Sequence, residues 1–545
     1  MAQTLNAKVA EQLSVKDFGA IGDGVADDTA AVQAAIDSCR SIRFPAGRYR
    51  VGEITIPVLA AGASYCGDGP FTSTVPGSAR TIVRAIADEQ RSVFRLGTSS
   101  VSHITFKDML VTGAVNDGAT EKAKCGIDAN GAPFLALENV IVTYTREFGV
   151  KTGHEARINR VYMERNDGVG LFLEADSSVS NTNLTQGTIP LWIVNGGGLI
   201  SNIWANSGTE CCILISALDP ENETCGNVEI CNAYVGEVQS ETCKPIIKIQ
   251  GSSGTGVGHN FPVRWVHLTN IFCEDSALPV SGKKISGGVL IDHAEDVLIS
   301  NSTFYGIPHT GSTATLYSDY FVKATLTEGL KIEGCDVKGI AKNPVVIGAD
   351  CTDVAILGNR FRDWAAQASL PTPPGDAACI LQTATSCLLR VVGNLFKITG
   401  TNNSQYPAHV PQGKWLTMGP NQSSCHSNLA VATDGNRTGI WDASYGLQGE
   451  FYSVNLLGGG LILAAGSNIQ AARETGTKIG TASTELLGFY GATPVGRPAT
   501  VSDAATQDIN GSGTVDVTKL TADLTSCKNA INALIDRLQD LGLIA

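Results

Sequence analysis

One short sequence pattern decides the fold, and it reads VSNTNL at residues 179–184, LISNIW at 199–204 and VEICNAY at 228–234. In each copy an apolar run reaches an Asn and then continues with an aromatic or branched side chain. Nine positions mark the repeat, with spacings of 21 to 38 residues: Asn159, Asn181, Asn202, Asn232, Asn270, Asn301, Gly334, Asn359 and Asn394. A repeat of this length, without alternating long helices, predicts the stacked coils of a parallel β-helix.

The composition agrees with a folded chain of this kind. Apolar residues make up 43% of the 545 residues, so disorder is excluded over most of the length. The net charge of −13 argues against a nucleic-acid-binding protein. No run of eighteen apolar residues occurs, and we expect no membrane span.

The cysteines are expected to be free structural thiols. Their number, 15, is odd, and their spacing matches no zinc site. Residues 1–14 show no basic segment followed by an apolar core, so we expect synthesis in a reducing cytoplasm. We predict no metal and no cofactor. A loop at 508–516 resembles a calcium site, but Lys519 stands where the bidentate Glu belongs.

The C-terminal tail carries a heptad pattern. Apolar residues are spaced by seven in two series, which are Val517, Leu524, Ile531, Leu538 and Leu520, Cys527, Leu534, Leu541. These are the a and d positions of a coiled coil, and they predict an oligomer. A single amphipathic helix packed on its own body is the alternative.

Two segments resemble bacteriophage tailspike proteins. KDFGAIGDGVADDTAAVQAAID (16–37) with FPAGRYRV (44–51) is similar to the opening motif of pectate-lyase-like right-handed β-helices, especially those of tailspikes. TKIGTASTELLGFYGATPVGRP (477–498) resembles the C-terminal segment of many phage tail fibres and tailspikes. The resemblance implies a homotrimer in the virion tail that binds, and usually cleaves, a bacterial surface polysaccharide. Attachment would be minimal, through an adaptor or baseplate protein.

The pattern and the resemblance together predict an all-β fold, a right-handed parallel β-helix with added terminal elements. The expected regions are an attachment segment (1–14), a cap with a short helix and the first coils (15–100), the β-helix body (101–400), a small β domain (401–490), and a linker with a trimerisation helix (491–545).

The catalytic candidates come from the register of the repeat. Hydrolysis of a glycosidic bond needs two carboxyl groups. Counting five residues beyond each reference position gives Glu164, Gln186, Ser207, Glu237, Asp275 and Gly306. Glu237 and Asp275 therefore fall in one column on successive coils, with Glu274 beside them, and we predict these three as catalytic. With 52 acids in the chain, chance columns are also expected.

Most of the residues predicted to bind substrate lie on the same coils as these acids, whereas Glu164 lies several coils away. Aromatic side chains next to acids favour sugar binding. The candidates are Glu164, Trp204, Tyr234, Arg264, Trp265 and His267. A competing acidic cluster comprises Asp292, His293, Glu295 and Asp296.

Four functions remain open from the sequence. The leading prediction is an endo-acting glycoside hydrolase that depolymerises capsule, exopolysaccharide or O-antigen. A polysaccharide lyase would need a base, for which Arg264 or His267 could serve. A receptor-binding spike without catalysis would have an aromatic groove and no acid pair. A structural tail subunit would have no affinity for sugars.

Overall fold

The computed structural model describes most of the chain up to residue 398 and shorter stretches after it. The described residues are 13–38, 41–69, 81–86, 90–115, 121–218, 225–236, 238, 244–252, 262–274, 287–306, 318–340, 342–362, 379–382, 387–398, 416–417, 424–426, 429–432, 486–487, 495–496 and 517–540.

The N-terminal region forms the predicted cap. A 3-10 helix spans Val15–Phe18, and helix α1 spans Thr29–Ser38. Val32, Ala35 and Ile36 of α1 are buried, and their spacing places them on one face of the helix. A further 3-10 turn spans Val58–Ala60. The strands of this region are Asp23–Asp27, Ser41–Phe44, Gly47–Val51, Ile54–Ile56, Ser64–Gly67, Thr81–Ala85 and Ser92–Leu96.

The body is one continuous sheet in which all strand pairs are parallel over the described residues, so the predicted β-helix is confirmed. Its first strands are Thr105–Thr112, Cys125–Asp128, Ala136–Thr143, Phe148–Lys151, Arg157–Asn159, Tyr162–Glu164, Val169–Leu173, Ser177–Gly187, Ile189–Val194, Gly198–Gly208, Ile213–Ser216, Cys225–Gly236, Pro245–Gln250, Val263–Glu274 and Gly287–Ser300. The later strands are Thr303–Tyr305, Val322–Glu328, Lys331–Glu333, Asp336–Lys338, Val345–Ile347, Val354–Leu357, Arg360–Arg362, Ile380–Gln382, Leu389–Val392 and Leu395–Ile398.

The recurring Asn marks a corner of each coil. Most Asn residues of the repeat adopt the left-handed backbone conformation, which Asn and Gly tolerate better than other residues. The corners align from coil to coil, with φ between 48° and 68°. We call them the Asn column: Asp108, Asn139, Arg160, Asn181, Asn202, Asn232, Asn270, Asn301, Gly334, Gly358 and Gly393.

Three of the reference positions chosen from the sequence lie one residue away from these corners. At the first, the corner is Arg160 rather than Asn159. At the last two, Gly358 and Gly393 turn the chain, because Asn359 and Asn394 are buried and hydrogen-bonded to each other. Asn thus has two roles in this fold, at the corner and inside the coil, and the sequence pattern does not separate them.

The core is a column of aliphatic side chains enclosed by the coils. Successive residues alternate inward and outward, so each strand contributes every second side chain. Buried thiols belong to this core, including Cys212 and Cys273, and burial raises the pKa of both. All twelve cysteines for which side chains are described are free, as the sequence predicted.

Parallel pairing continues beyond residue 400, where the recurring sequence pattern ends. Three further strands pair with the coil before them, at Leu416–Thr417, Ser424–His426 and Leu429–Ala432. Residues 433–485, which make up much of the small β domain predicted at 401–490, lie outside the described residues. The chain divides into two compact units, Met1–Ile462 and Leu463–Ala545. The predicted domain boundaries otherwise stay predictions.

The second unit contains a short antiparallel pair, Leu486–Leu487 with Val495–Gly496, and helix α2, Val517–Asp540. The heptad segment is therefore helical. Its apolar positions are exposed, for example 63% at Leu524 and 57% at Ile531. Of the helices in the described ranges, none has the length and apolarity to cross a membrane.

Candidate functional site

One outer surface of the β-helix collects most of the aromatic candidates. Behind each corner of the Asn column the chain continues for about four residues before it turns again. Residues one and three positions after the corner point into the core, as Ile203 and Ala205 do. Residues two and four positions after it point outward. We call the surface made by these outward side chains the groove face.

An aromatic ladder runs along the groove face. Trp204 stacks on Tyr234 of the next coil, with ring centroids 4.1 Å apart and planes 30° apart. Phe272 follows at 5.7 Å from Tyr234, and Tyr305 lies 6.1 Å from Phe272. Trp204 is 43% exposed and Phe272 is 36% exposed. Aromatic rings left open to solvent in such a row form a platform for flat, partly apolar ligands such as sugar rings.

A groove of about 400 Å³ lies beside the first rung of this ladder. The side chain of Asn183 lies within it, between Tyr162 and Trp204 in the register of the strands. The Asn183 Oδ1 atom is buried and has no hydrogen-bond partner among the described residues. The groove thus combines an aromatic wall with amide groups, and its remaining lining includes Arg160, Asn181 and Asn202.

Glu164 does not line this groove, but it is hydrogen-bonded to Tyr162, which does. The Tyr162 hydroxyl donates a hydrogen bond of 2.7 Å to Glu164 Oε2, and Arg165 Nε lies 3.4 Å from Oε1. Burial raises the pKa of Tyr162, and the hydrogen bond to Glu164 raises it further. The raised pKa keeps the proton on the Tyr162 phenol, which thereby stays a hydrogen-bond donor to the carboxylate of Glu164.

Glu164 does not share the column that the sequence count gave it. Its neighbours in the strand register are Thr143 and Thr185, and Arg165 is the residue aligned with the corner residues Gln186 and Ser207. The count began from Asn159, one residue before the true corner. Glu164 still lies on the groove face, in the row whose later members include Asn206 and Tyr305.

Of the three predicted catalytic acids, the structure describes only the backbone of Glu274. Glu237 and Asp275 lie outside the described residues. Val235 pairs with Cys273, and each predicted acid follows one of these two residues by two positions. The backbone of Glu274 ends the strand Val263–Glu274 and pairs with Tyr305. The catalytic assignment of the three acids stays a prediction.

Arg264, Trp265 and His267 lie on the other side of the Asn column. Trp265 is itself a left-handed corner, five residues before Asn270, and is 50% exposed. His267 points outward from the face between these two corners. The six predicted binding residues therefore do not share one face. Glu164, Trp204 and Tyr234 lie together on the groove face, His267 lies on the face between the two corners, and Arg264 precedes the corner at Trp265.

The competing acidic cluster is engaged in structural contacts. Glu295 Oε2 lies 2.7 Å from Arg264 Nε, which makes Arg264 a poor candidate for a base. Asp292 accepts a hydrogen bond of 2.9 Å from Thr325 Oγ1. His293 is buried, and burial lowers its pKa. No group of three His, Cys, Asp or Glu side chains within the described ranges is arranged to hold a metal ion.

Several residues of the groove face were not predicted. Tyr162, Asn183, Phe272 and Tyr305 all lie in rows with predicted residues. Phe272 and Tyr305 stand two and four residues after Asn270 and Asn301, the same offsets as Trp204 and Asn206 after Asn202. Reading every coil at these two offsets would have identified them.

Comparisons with known proteins agree with this architecture. Residues 12–237 match the family model described as rhamnogalacturonase A/epimerase, pectate lyase-like. Mannuronan C5-epimerase AlgE1 of Azotobacter vinelandii is 60% identical over 43 residues, which are 7% of this chain and 3% of that protein. The match therefore spans a small fraction of the epimerase.

Two solved structures of phage proteins resemble the chain. The pre-mature bacteriophage phi29 gene product 12 is 13% identical with a TM-score of 0.51, over 77% of this chain and 56% of that one. Tailspike protein 2 from Escherichia coli O157:H7 bacteriophage CAB120 is 13% identical with a TM-score of 0.41, over 77% and 46%. The first unit of the chain is therefore a parallel β-helix, and residues 12–237 of it match the pectate-lyase-like family model.

Proposed function

We propose that the protein is a phage tailspike that binds a bacterial surface polysaccharide along the groove face and cleaves it as an endo-acting glycoside hydrolase. The observation that carries the proposal is the exposed stack of Trp204 on Tyr234 beside an open groove with amide groups. Stacking planes and amide hydrogen bonds are what a sugar ring with its hydroxyl groups needs for recognition. An extended chain can occupy successive rungs because the coils repeat about every 4.8 Å.

The proposed cleavage uses Glu237 and Asp275, with Glu274 in support. The paired residues Val235 and Cys273 precede these acids by equal distances in sequence, which favours their lying on adjacent coils. Repulsion between two close carboxylates raises one pKa, so that one group protonates the leaving oxygen. The other group attacks the anomeric carbon or activates water.

The proposed setting is the virion tail. The 477–498 motif and the exposed apolar positions of α2 support a homotrimer held by a C-terminal coiled coil. Attachment to the tail would use an adaptor or baseplate protein. The bound polysaccharide would lie on the outside of the host cell.

A second candidate is proton abstraction from a uronate, by a lyase or an epimerase. The family model and the AlgE1 match favour it. A lyase creates a double bond that absorbs ultraviolet light. An epimerase creates neither a double bond nor a chain end, but exchanges the abstracted proton with solvent.

The test uses a panel of purified capsules and lipopolysaccharides, with three measurements on each. New reducing ends without ultraviolet absorbance support the hydrolase, and both together indicate a lyase. Deuterium incorporation from D₂O without either signal indicates an epimerase. Binding without any of the three makes the protein an adhesin, and absence of binding refutes the proposal.

The site assignment is tested with matched acid variants. Glu237→Gln and Asp275→Asn should each abolish cleavage and leave the oligomer intact. Glu229→Gln is the control, because Glu229 lies in the strand Cys225–Gly236 before the corner at Asn232, and therefore off the groove face. Full turnover in both site variants would contradict the assignment.

A further inference from the structure

We infer that the groove face is built for an anionic polysaccharide, whose acidic groups lie at the C-terminal end of the aromatic ladder. This inference rests on the proposed function, and it names the substrate class for the same surface. It departs from the expectation set by the whole chain, since 52 acidic residues outnumber 39 basic ones.

The charge changes along the groove face. Near its first rungs the described outward side chains include one acid, Glu164, which Tyr162 and Arg165 already occupy. After Tyr305 the outward positions of the next three coils hold one acid against four cations. These residues are Asp336, Lys338, Arg360, Arg362 and Lys397.

Two of the five charges neutralise each other. Arg362 donates hydrogen bonds of 3.0 Å from Nε and 2.6 Å from Nη2 to the two oxygens of Asp336. This bidentate pair also holds the guanidinium over the Tyr305 ring, 5.9 Å from its centroid. Arg362 therefore links the aromatic ladder to the cationic end and leaves the three other cations uncompensated.

Lys338, Arg360 and Lys397 have no ion-pair partner among the described residues. Lys338 and Lys397 stand in the row of Tyr305 and Arg362, and Arg360 stands in the neighbouring row. Lys and Arg presented at regular spacing are suited to carboxylate, phosphate or sulfate groups. Uncompensated cations in one patch of a negatively charged protein favour an anionic occupant.

The geometry fits a linear polymer better than a small anion. From Trp204 to Lys397 the groove face rises by six coils, which at about 4.8 Å per coil is roughly 29 Å. From Trp204 to Tyr305 the successive coils present aromatic rings, and from Lys338 to Lys397 they present cationic side chains. A polymer of sugar rings bearing acidic groups satisfies both halves at once, whereas a neutral polymer leaves the cations without a partner.

The experiment measures affinity on the full-length protein. The tightest-binding polysaccharide of the capsule panel whose acidic groups are all carboxylates is immobilised beside its carboxyl-reduced form, which keeps the linkages and loses the charge. The test variant combines Lys338→Gln, Arg360→Gln and Lys397→Gln. It should lose about tenfold in affinity for the acidic form, with a smaller loss at high salt.

A matched control removes the same number and kind of charges elsewhere. Arg157→Gln, Lys248→Gln and Lys323→Gln lie outside the groove face and should leave affinity unchanged. Trp204→Ala should weaken binding to the acidic form through loss of stacking.

Each outcome decides between the two ideas. If the test variant binds like the wild type while Trp204→Ala binds weakly, the charge inference is wrong and the proposed function stands. Equal affinity for the carboxyl-reduced polymer also overturns the inference alone. If no polysaccharide of the panel binds, the proposed function fails and the inference fails with it.

Discussion

The left-handed corners of the Asn column make a sharp prediction about stability. Asn181, Asn202 and Asn232 have φ of 50°, 52° and 54°. A side chain without the local hydrogen bonding of Asn pays about 1–2 kcal/mol in this conformation. Replacing all three by Ala should therefore cost about 3–6 kcal/mol if the sites act independently.

The expected change in melting temperature follows from the size of the β-helix. Unfolding entropy is about 2.1 cal/mol/K per residue, so a body of about 400 residues has roughly 0.8 kcal/mol/K. A loss of about 3–6 kcal/mol then lowers the melting temperature by about 4–7 °C. Scanning calorimetry at one scan rate measures this shift, because large β proteins commonly unfold irreversibly.

The matched control replaces the same three residues by Gly. Both variants lose the exposed side-chain ladder, such as the 3.4 Å bond from Asn202 Nδ2 to Asn181 Oδ1. Only Ala adds left-handed strain, and Gly already occupies this column at Gly334 and Gly358. The Gly variant should melt above the Ala variant. Equal melting temperatures would refute the assignment of these Asn residues to backbone geometry.

Three more predictions concern assembly, the buried amide ladder and the thiols. Removing residues 517–545 should weaken oligomerisation, because the apolar positions of α2 are exposed in the single chain. Sedimentation that shows the same oligomer after the deletion would contradict the predicted coiled coil. Asn394→Leu should destabilise the body by about 1–3 kcal/mol, because the backbone N–H of Asn359 loses its hydrogen bond of 2.8 Å to Asn394 Oδ1. Hydrogen exchange of the Asn359 amide should be faster in the variant. Iodoacetamide at pH 8 should label half-buried Cys231 well before fully buried Cys212. Burial raises the pKa of the Cys212 thiol further above the solution pH, so less reactive thiolate is present. Equal labelling of the two cysteines in mass spectrometry would contradict the burial of Cys212 in the core.

The sequence predicted the coil pattern because one residue type recurs where the backbone turns left-handed. It located Trp204 and Tyr234 on adjacent coils for the same reason, and the structure confirms their pairing. It did not give the register at Glu164, because Asn159 precedes the corner at Arg160 by one residue. A shift of one residue changes the row of every side chain that follows it.

The cationic end of the groove face could not be predicted from the sequence. Lys338 and Lys397 are 59 positions apart in the chain, and coils of unequal length separate them. Their common row becomes visible only when each strand is paired with its neighbours. The net charge of −13 suggests a negatively charged surface, because it averages over all faces of the β-helix and hides a local cluster of cations.

The central coils have a consequence for how such a protein changes over generations. From Asn139 to Arg160, Asn181 and Asn202 each turn takes 21 residues, and each turn rests only on the turns next to it. Duplication or deletion of one 21-residue stretch would leave both flanking turns with compatible neighbours. The groove face can thereby be lengthened or shortened by one whole rung, while the coils at both ends of the β-helix stay as they are.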